Sequence, residues 1–512
     1  MSELTDFTRS AILPDNIGMS VTDAGWPAPQ VRLHRPTLLW CYALLAPAMI
    51  FMLTTLDRGY QTDLWHHLAR GRAICTTHSI LNHDVFTYTV ADQAIVDNNW
   101  LTQVIAYKLY EWGGIDLVQA TNSILLGLTM SMLIWIGTRL GASVRTAGLI
   151  GAMVVAGLAP TLLIRPQTVS MLLFVLLMAV LLEAKRKPRY LLWAPLLMAV
   201  WANVHGAFPI GLVLIGCFTF SACIDRVRRL PLGTRAKPSV MIACLATCAA
   251  ATLANPYGAK VYEYVLVTSS RASSRVIQEW LRPNVSTLSG AAWLASIVAM
   301  ITLSIVGRRH VRLWAATVAI VFGLISCTSV RMSIWWYLAA APIAMSIWPR
   351  GDDQPAKPSW AAGVLYAAII AAMIISLPVM QPWNPLFLVR PSERLEDNLA
   401  QLSDAVAVAS PGARVFSRLE WGEYLSFALP WKTSIFMDGR IEIYPDSLWD
   451  EYRRITSVEP DWQTLLDRHG VTVLLLDRHY HDGLILAAGK SSNWKEIASI
   501  GTGVIFLKNA KH

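Results

Sequence analysis

Asp63, His66 and His67 stand in DRGYQTDLWHHLARG (57–71), and Asp84 stands in HSILNHDVFTYT (78–89). Further along come Arg165 in IRPQ (164–167), His205 in WANVHG (201–206), Asn255 in ANPYG (254–258), Glu279 and Trp280 in QEW (278–280), and Arg331 in SVR (329–331). A carboxylate can take a proton from a hydroxyl or ligate a cation, and a guanidinium grips an anion bidentately. Gathered in one place, these groups would suit acid/base work on a hydroxyl beside an anionic, phosphate-bearing ligand.

Each residue also has a plainer reading. Asp63 could simply favour a helix start through the dipole, although His66 at i+3 would then share its face. Asp84, next to His83 and Asn82, could form an Asx-type turn or act as a second acid. Paired acids would do acid/base work or hold a divalent cation, the one candidate cofactor. Arg165 and Arg331 could snorkel to lipid headgroups, but a guanidinium at membrane depth is costly without a partner. Glu279 beside Trp280 suits a sugar, held by an aromatic face and a carboxylate, while Trp280 alone would serve as an interfacial anchor. In the C-terminal region, Asp438-Gly439-Arg440 reads as a strand end and turn with a structural Asp–Arg pair, acceptor binding being the alternative.

The elements that must position these residues are membrane helices. Of 512 residues, 54% are hydrophobic and only 15% charged, with mean hydropathy +0.43. Apolar runs match the roughly 20 residues that cross a bilayer. The expected spans are 37–56, 117–137, 147–163, 168–184, 190–204, 207–224, 239–254, 288–306, 313–328, 332–348 and 360–380, about eleven in all. One set of connections (139–145, 183–189, 225–238, 307–312, 348–358) holds sixteen Lys/Arg against four acids. The positive-inside rule assigns that set to the cytoplasm. The candidate residues then fall together at the opposite, outer face. The +9 net charge is thus a topology signal, not a nucleic-acid footprint.

Residues 1–36 read as a cytoplasmic tail and 37–380 as the transmembrane domain. The external loop 57–116 within it is long enough to carry helices of its own. Residues 381–512 regain charge and show strand-like runs, VTVLLLD (471–477) and GVIFLK (503–508), around helix-like stretches. They read as a small α/β extracytoplasmic domain. The seven cysteines show neither metal-ligand spacing nor a disulfide framework, and the first apolar run reads as an uncleaved anchor.

The order of these marks resembles the GT-C superfamily, polytopic glycosyltransferases that use polyprenyl-phosphate-linked sugars, in a bacterial branch. The resemblance rests on DLWHHLARG, HDVFTYT, NWL, RPQ, WANVHG, NPYG, QEW, WGEYL and DGR in that order, from about 57 to 480. It implies a GT-C-like helical bundle in a bacterial inner membrane, with the C-terminal domain outside. It also implies an acidic catalytic residue just after the first span, which maps onto Asp63, with Asp84 as second acid. The partners implied are a polyprenyl-phosphate sugar, a glycan, lipid or protein acceptor, and the bilayer. Asp63 is followed by Leu64, so the tandem acids usual in such enzymes are absent here.

Two other classes would also place charges near a membrane face. A transporter or flippase for lipid-linked sugars usually shows repeat symmetry and midplane sites, neither of which is visible here. A polysaccharide polymerase or ligase would use outer-face Arg and His without an acidic first loop.

Overall fold

The structure is a computed structural model that describes residues 37–56, 62–91, 93–228, 236–274, 278–307, 311–348, 358–383, 395–410, 412–429, 434–440 and 442–509. The expected N-terminal tail, 1–36, lies outside the described residues. In chain order the helices of the first part are α1 (Leu38–Leu56), α2 (Thr62–Thr77), α3 (Trp100–Arg139), α4 (Val144–Leu158), α5 (Gln167–Ala184), α6 (Trp193–Val204) and α7 (Phe208–Val227). They continue with α8 (Pro238–Ala251), α9 (Lys260–Ser274), α10 (Leu288–Val306), α11 (Leu313–Ser326), α12 (Ser333–Ile347) and α13 (Trp360–Ser376).

All eleven expected spans are helical. Among the described residues, seven helical segments are long and apolar enough to cross a membrane, and α8, α11 and α13 are shorter apolar helices. Local sequence sets several of their starts. The side chains of Ser143, Thr287 and Ser359 cap α4, α10 and α13 by accepting from the backbone N–H three residues on. Proline near the start of α7 and α8 costs nothing there, because the first-turn N–H groups have no helical partner. α5 and α12 run through the middle of the bundle, where Phe174 packs on Trp335 (ring centroids 5.5 Å) and Trp335 lies near Trp201 (6.2 Å). Large apolar side chains on α10 and α13, among them Val298, Ile301, Ile305, Val364 and Leu365, face outward. Such a face is stable against lipid, not water.

The loop 57–116 does carry helices. α2 lies wholly within it, and α3 begins inside it at Trp100, not at the membrane surface. Backbone angles break the helix at Gly113 and at Gly114, whose φ of +65° favours a residue without Cβ. The first arm of α3 packs along α2, and the second enters the bundle beside α1.

The C-terminal part contains α14 (Leu395–Ala409), β1 (Arg414–Ser417), α15 (Leu419–Ala428), β2 (Ser434–Ile435), α16 (Asp446–Thr456), α17 (Trp462–Arg468), β3 (Val473–Asp477), α18 (Asp482–Lys490), β4 (Trp494–Ile500) and β5 (Gly503–Lys508). The strands form one mixed sheet in the order β2-β1-β3-β5-β4. β1 is parallel to both β2 and β3, and β5 is antiparallel to β3 and β4. VTVLLLD supplies the fully buried β3, and GVIFLK supplies β5. This domain shares its core with the external loop. Leu64, Trp65 and Leu68 of α2 pack with Trp421, Leu425 and Val473, while Phe86 and Tyr88 exchange backbone hydrogen bonds with Ile435. The C-terminal domain therefore sits directly over α2 and its first acid.

Candidate active site

A cavity of about 610 Å³ opens where the bundle end, α2 and the C-terminal domain meet. Eight of the ten residues singled out in the sequence line it: Asp63, His66, His67, Arg165, His205, Glu279, Trp280 and Arg331. Trp335 reaches it from the bundle core, so the packing that fixes α5 and α12 also fixes one wall of the cavity.

Each residue is held by a helix end or a tight turn. Asp63 lies in the first turn of α2, and His66 and His67 follow one turn later with ring centroids 4.1 Å apart. Arg165 precedes Pro166, which disfavours helix at Arg165 and opens the turn before α5. His205 ends α6 in extended conformation. Its Nδ1 accepts from the Ala207 N–H (3.3 Å) and pairs with Ser170 Oγ (2.9 Å), which in turn accepts from Trp201 Nε1 (2.7 Å). Those bonds leave Nε2 as the protonated ring nitrogen. Glu279 and Arg331 sit on two 3₁₀ turns, Gln278–Trp280 and Val330–Met332, tied together by the Val330 N–H to Leu281 carbonyl bond (2.9 Å).

A continuous ionic chain crosses the site. Asp63 Oδ2 lies 2.7 Å from Arg165 Nε, Arg165 Nη1 lies 2.6 Å from Glu279 Oε2, and Glu279 Oε1 accepts from Arg331 Nη1 at 2.5 Å. Glu279 therefore bridges two guanidiniums, the geometry in which a phosphate is commonly gripped. The Arg331 guanidinium also lies over Trp280, 5.3 Å from the ring centroid. The aromatic platform expected for a sugar is thus shared with a cation.

Burial alone would raise the Glu279 carboxyl, but Arg331 and Arg165 together outweigh it and hold the group down at about 2. Burial, then Arg70, lowers His66 to about 4, and His67 is driven well below its ordinary value chiefly by burial. Both imidazoles are neutral at pH 7. Because the folded pKa of Glu279 lies below its ordinary 4.5, its pairing stabilises the fold fully above that value. The contribution is lost as the pH falls from there toward about 2. Thermal unfolding of the detergent-solubilised chain should show declining stability from about pH 5 to about pH 3, and Glu279→Gln should make that decline shallower.

Two of the ten residues stand outside the cavity. Asp84 is buried, accepts from the Thr87 N–H (3.0 Å) and Thr87 Oγ1 (2.5 Å), and forms an ion pair with Arg440 at 2.5 Å. Arg440 also pairs with Asp438 at 2.7 Å, as the sequence reading of DGR expected. The two candidate acids of the loop 57–116, Asp63 and Asp84, are therefore not brought together. Asp84 joins the loop to the C-terminal domain because Arg440 offers it a charge and burial shields the pair. Asn255 closes its own turn, donating to the Thr252 (2.7 Å) and Gly258 (3.1 Å) carbonyls and accepting from the Tyr257 N–H (2.8 Å). Among the described residues, no three His, Cys, Asp or Glu side chains are grouped as metal ligands.

Other lining residues escaped the sequence reading. Arg70 pairs with Asp97 at 3.2 Å, and Tyr264 donates to Glu442 Oε1 at 3.0 Å. Glu423, the acid of WGEYL, reaches the cavity from α15 and is 3% exposed. Its signal was visible, a single carboxyl between apolar and aromatic neighbours, but no local pattern says what such an acid faces.

No protein-family model matches the chain, and no curated protein matches it in sequence. In fold it is similar to the archaeal oligosaccharyltransferase AglB from Archaeoglobus fulgidus in complex with an inhibitory peptide and a dolichol-phosphate. That likeness has 10% identity and a TM-score of 0.53, covering 91% of this chain and 74% of the other. A second structure, the Archaeoglobus fulgidus oligosaccharyltransferase tethered with an acceptor peptide, gives the same identity and TM-score over 92% and 74%. ArnT from Cupriavidus metallidurans in the apo state is 15% identical over 91% of this chain and 97% of its own, with a TM-score of 0.47. At this identity the likeness speaks to fold: the chain has a GT-C-like helical bundle followed by a small C-terminal α/β domain.

Proposed function

We propose that this chain, with its GT-C-like fold, is a membrane glycosyltransferase that moves a sugar from a polyprenyl-phosphate donor to a glycan, lipid or protein acceptor. The observation that carries this reading is the ionic chain Asp63–Arg165–Glu279–Arg331 within one cavity at the end of an apolar bundle. A carboxylate and two guanidiniums at a bundle end suit a lipid-linked phosphate that arrives from the bilayer. The neighbouring structure with a bound dolichol-phosphate has the same overall fold and agrees with that class of ligand.

In the proposed step, the donor phosphate takes the place of the Glu279 carboxylate between Arg165 and Arg331. Asp63 accepts the proton of an acceptor hydroxyl as its oxygen bonds to the anomeric carbon. The bond from that carbon to the phosphate oxygen breaks, and the electron pair leaves on the phosphate. The two guanidiniums stabilise the charge that develops there. His66 and His67, both neutral, orient the reactants as hydrogen-bonding groups and carry no charge of their own.

In this reading the N-terminus is cytoplasmic and the cavity and C-terminal domain face outward from a bacterial inner membrane, an orientation that the basic connections support. Mass spectrometry of surface glycans and lipid-linked sugars from a deletion strain tests the function. A missing sugar with an accumulated polyprenyl-phosphate precursor on the outer leaflet supports it. A precursor confined to the cytoplasmic leaflet would point to a flippase, and an unchanged glycan and lipid profile overturns both.

A further inference from the structure

Glu423 is a buried carboxyl that the reaction above leaves unused. Its side chain is 4% exposed and its Oε1 lies 3.7 Å from His66 Nδ1, while Oε2 has no hydrogen-bond partner. No Lys or Arg among the described residues forms an ion pair with it. Glycines hold it in place. A Cβ on Gly422 would stand 2.5 Å from the Met437 carbonyl oxygen, and one on Gly439 would stand 1.8 Å from Glu423 Oε1. WGEYL and DGR therefore pack flush, and that packing aims the carboxyl into the cavity.

Burial, then the charges of Asp63 and Asp438, push the Glu423 carboxyl well above the usual carboxylate range, with Arg165 opposing them. Burial favours the neutral form of this carboxyl, which has one O–H to donate and lone pairs to accept. It is not alone. His66 Nδ1, Asn99 Oδ1 and Thr268 Oγ1, on residues that line the same cavity, also have no hydrogen-bond partner in the protein. In folded proteins roughly 90% or more of buried polar groups are paired. Several unpaired neutral donors and acceptors around one cavity match a ligand dense in hydroxyl groups.

Building on the glycosyltransferase reading, we propose that Glu423 binds the acceptor, and that the acceptor in this cavity is a sugar with two neighbouring hydroxyls. Asp63 takes the proton of the first, and Glu423 hydrogen-bonds the second. The C-terminal domain thereby selects the acceptor by completing the site from above.

The test uses the full-length chain in nanodiscs and a panel of methyl glycosides with their monodeoxy derivatives, binding being read by saturation-transfer NMR. Wild type should bind at least one glycoside and lose about tenfold affinity when one hydroxyl is removed, the value of a single hydrogen bond. Glu423→Gln, whose amide still donates, should bind within about threefold of wild type. Glu423→Ala and the space-filling Glu423→Met should lose about tenfold, and should no longer distinguish the glycoside from its deoxy form. Unchanged affinity in Glu423→Ala and Glu423→Met overturns the proposal. So does a Glu423→Gln as weak as Glu423→Ala, or the failure of every glycoside to bind wild type. Sugar release from a polyprenyl-phosphate donor is measured separately, so a chain that binds glycosides in this pattern without ever transferring fails only the enzyme reading.

Discussion

Asp63→Asn should yield a chain that inserts, folds and binds donor, yet transfers sugar about 10³-fold more slowly than wild type. The substitution is isosteric and keeps an oxygen facing the Arg165 guanidinium, whose Nε lies 2.7 Å from Asp63 in the native chain. Arg165 also keeps its second carboxylate, Glu279, at 2.6 Å. What disappears is the only charge at this position able to take the acceptor proton. A structural role for Asp63 makes a different forecast, lower thermal stability with near-normal turnover per folded molecule. Steady-state rates and thermal unfolding of the same preparation separate the two. Undiminished transfer by Asp63→Asn removes Asp63 from the mechanism.

The second large effect is expected from Glu279→Ala. Without the bridge, the Arg165 and Arg331 guanidiniums face one another with no carboxylate between them. Removing one partner of a fully buried pair costs about 3–5 kcal/mol, because an uncompensated charge is left behind. Here the three side chains are 15–31% exposed, so solvent screening brings the expected loss nearer about 1–3 kcal/mol. Inorganic phosphate should restore much of that stability in Glu279→Ala and protect wild type far less, since in wild type the carboxylate already fills the site. Chloride at matched ionic strength should do neither. Equal protection by phosphate and chloride would show that the two arginines are not a phosphate site. Glu279→Gln should fall between the two, because it keeps the shape of the bridge without the charge.

Hydropathy and loop charge are local properties, and they carried a large part of the architecture. The eleven apolar runs are helical, seven of them within segments long and apolar enough to cross a membrane, because backbone in lipid must satisfy its hydrogen bonds internally. The shared face of Asp63 and His66 also follows from helical spacing alone. The strand-like runs at 471–477 and 503–508 are strands, as their apolar composition suggested, and the fold pairs them as neighbours in one sheet. Where α3 begins was not legible, since its first arm is too polar to read as a span and is fixed by packing on α2.

Site membership divided along a different line. That polar residues from far-apart segments face one end of the bundle could be read by threading the spans in order. Which of them meet could not. Glu279 bridges partners 114 and 52 residues away, and Asp84 pairs with Arg440 across 356. Such pairs depend on how the chain returns to itself, and no local pattern encodes that return. Two acids in one loop looked alike in sequence. The fold gave Asp63 to the cavity and Asp84 to a buried ion pair, because only Asp84 lies where the C-terminal domain presents an arginine. Glu423 was decided in the same way, by two glycines that let one helix lie against one turn. The side chains of a membrane face are set by composition, but their partners are set by contact, and contact exists only once distant segments have packed.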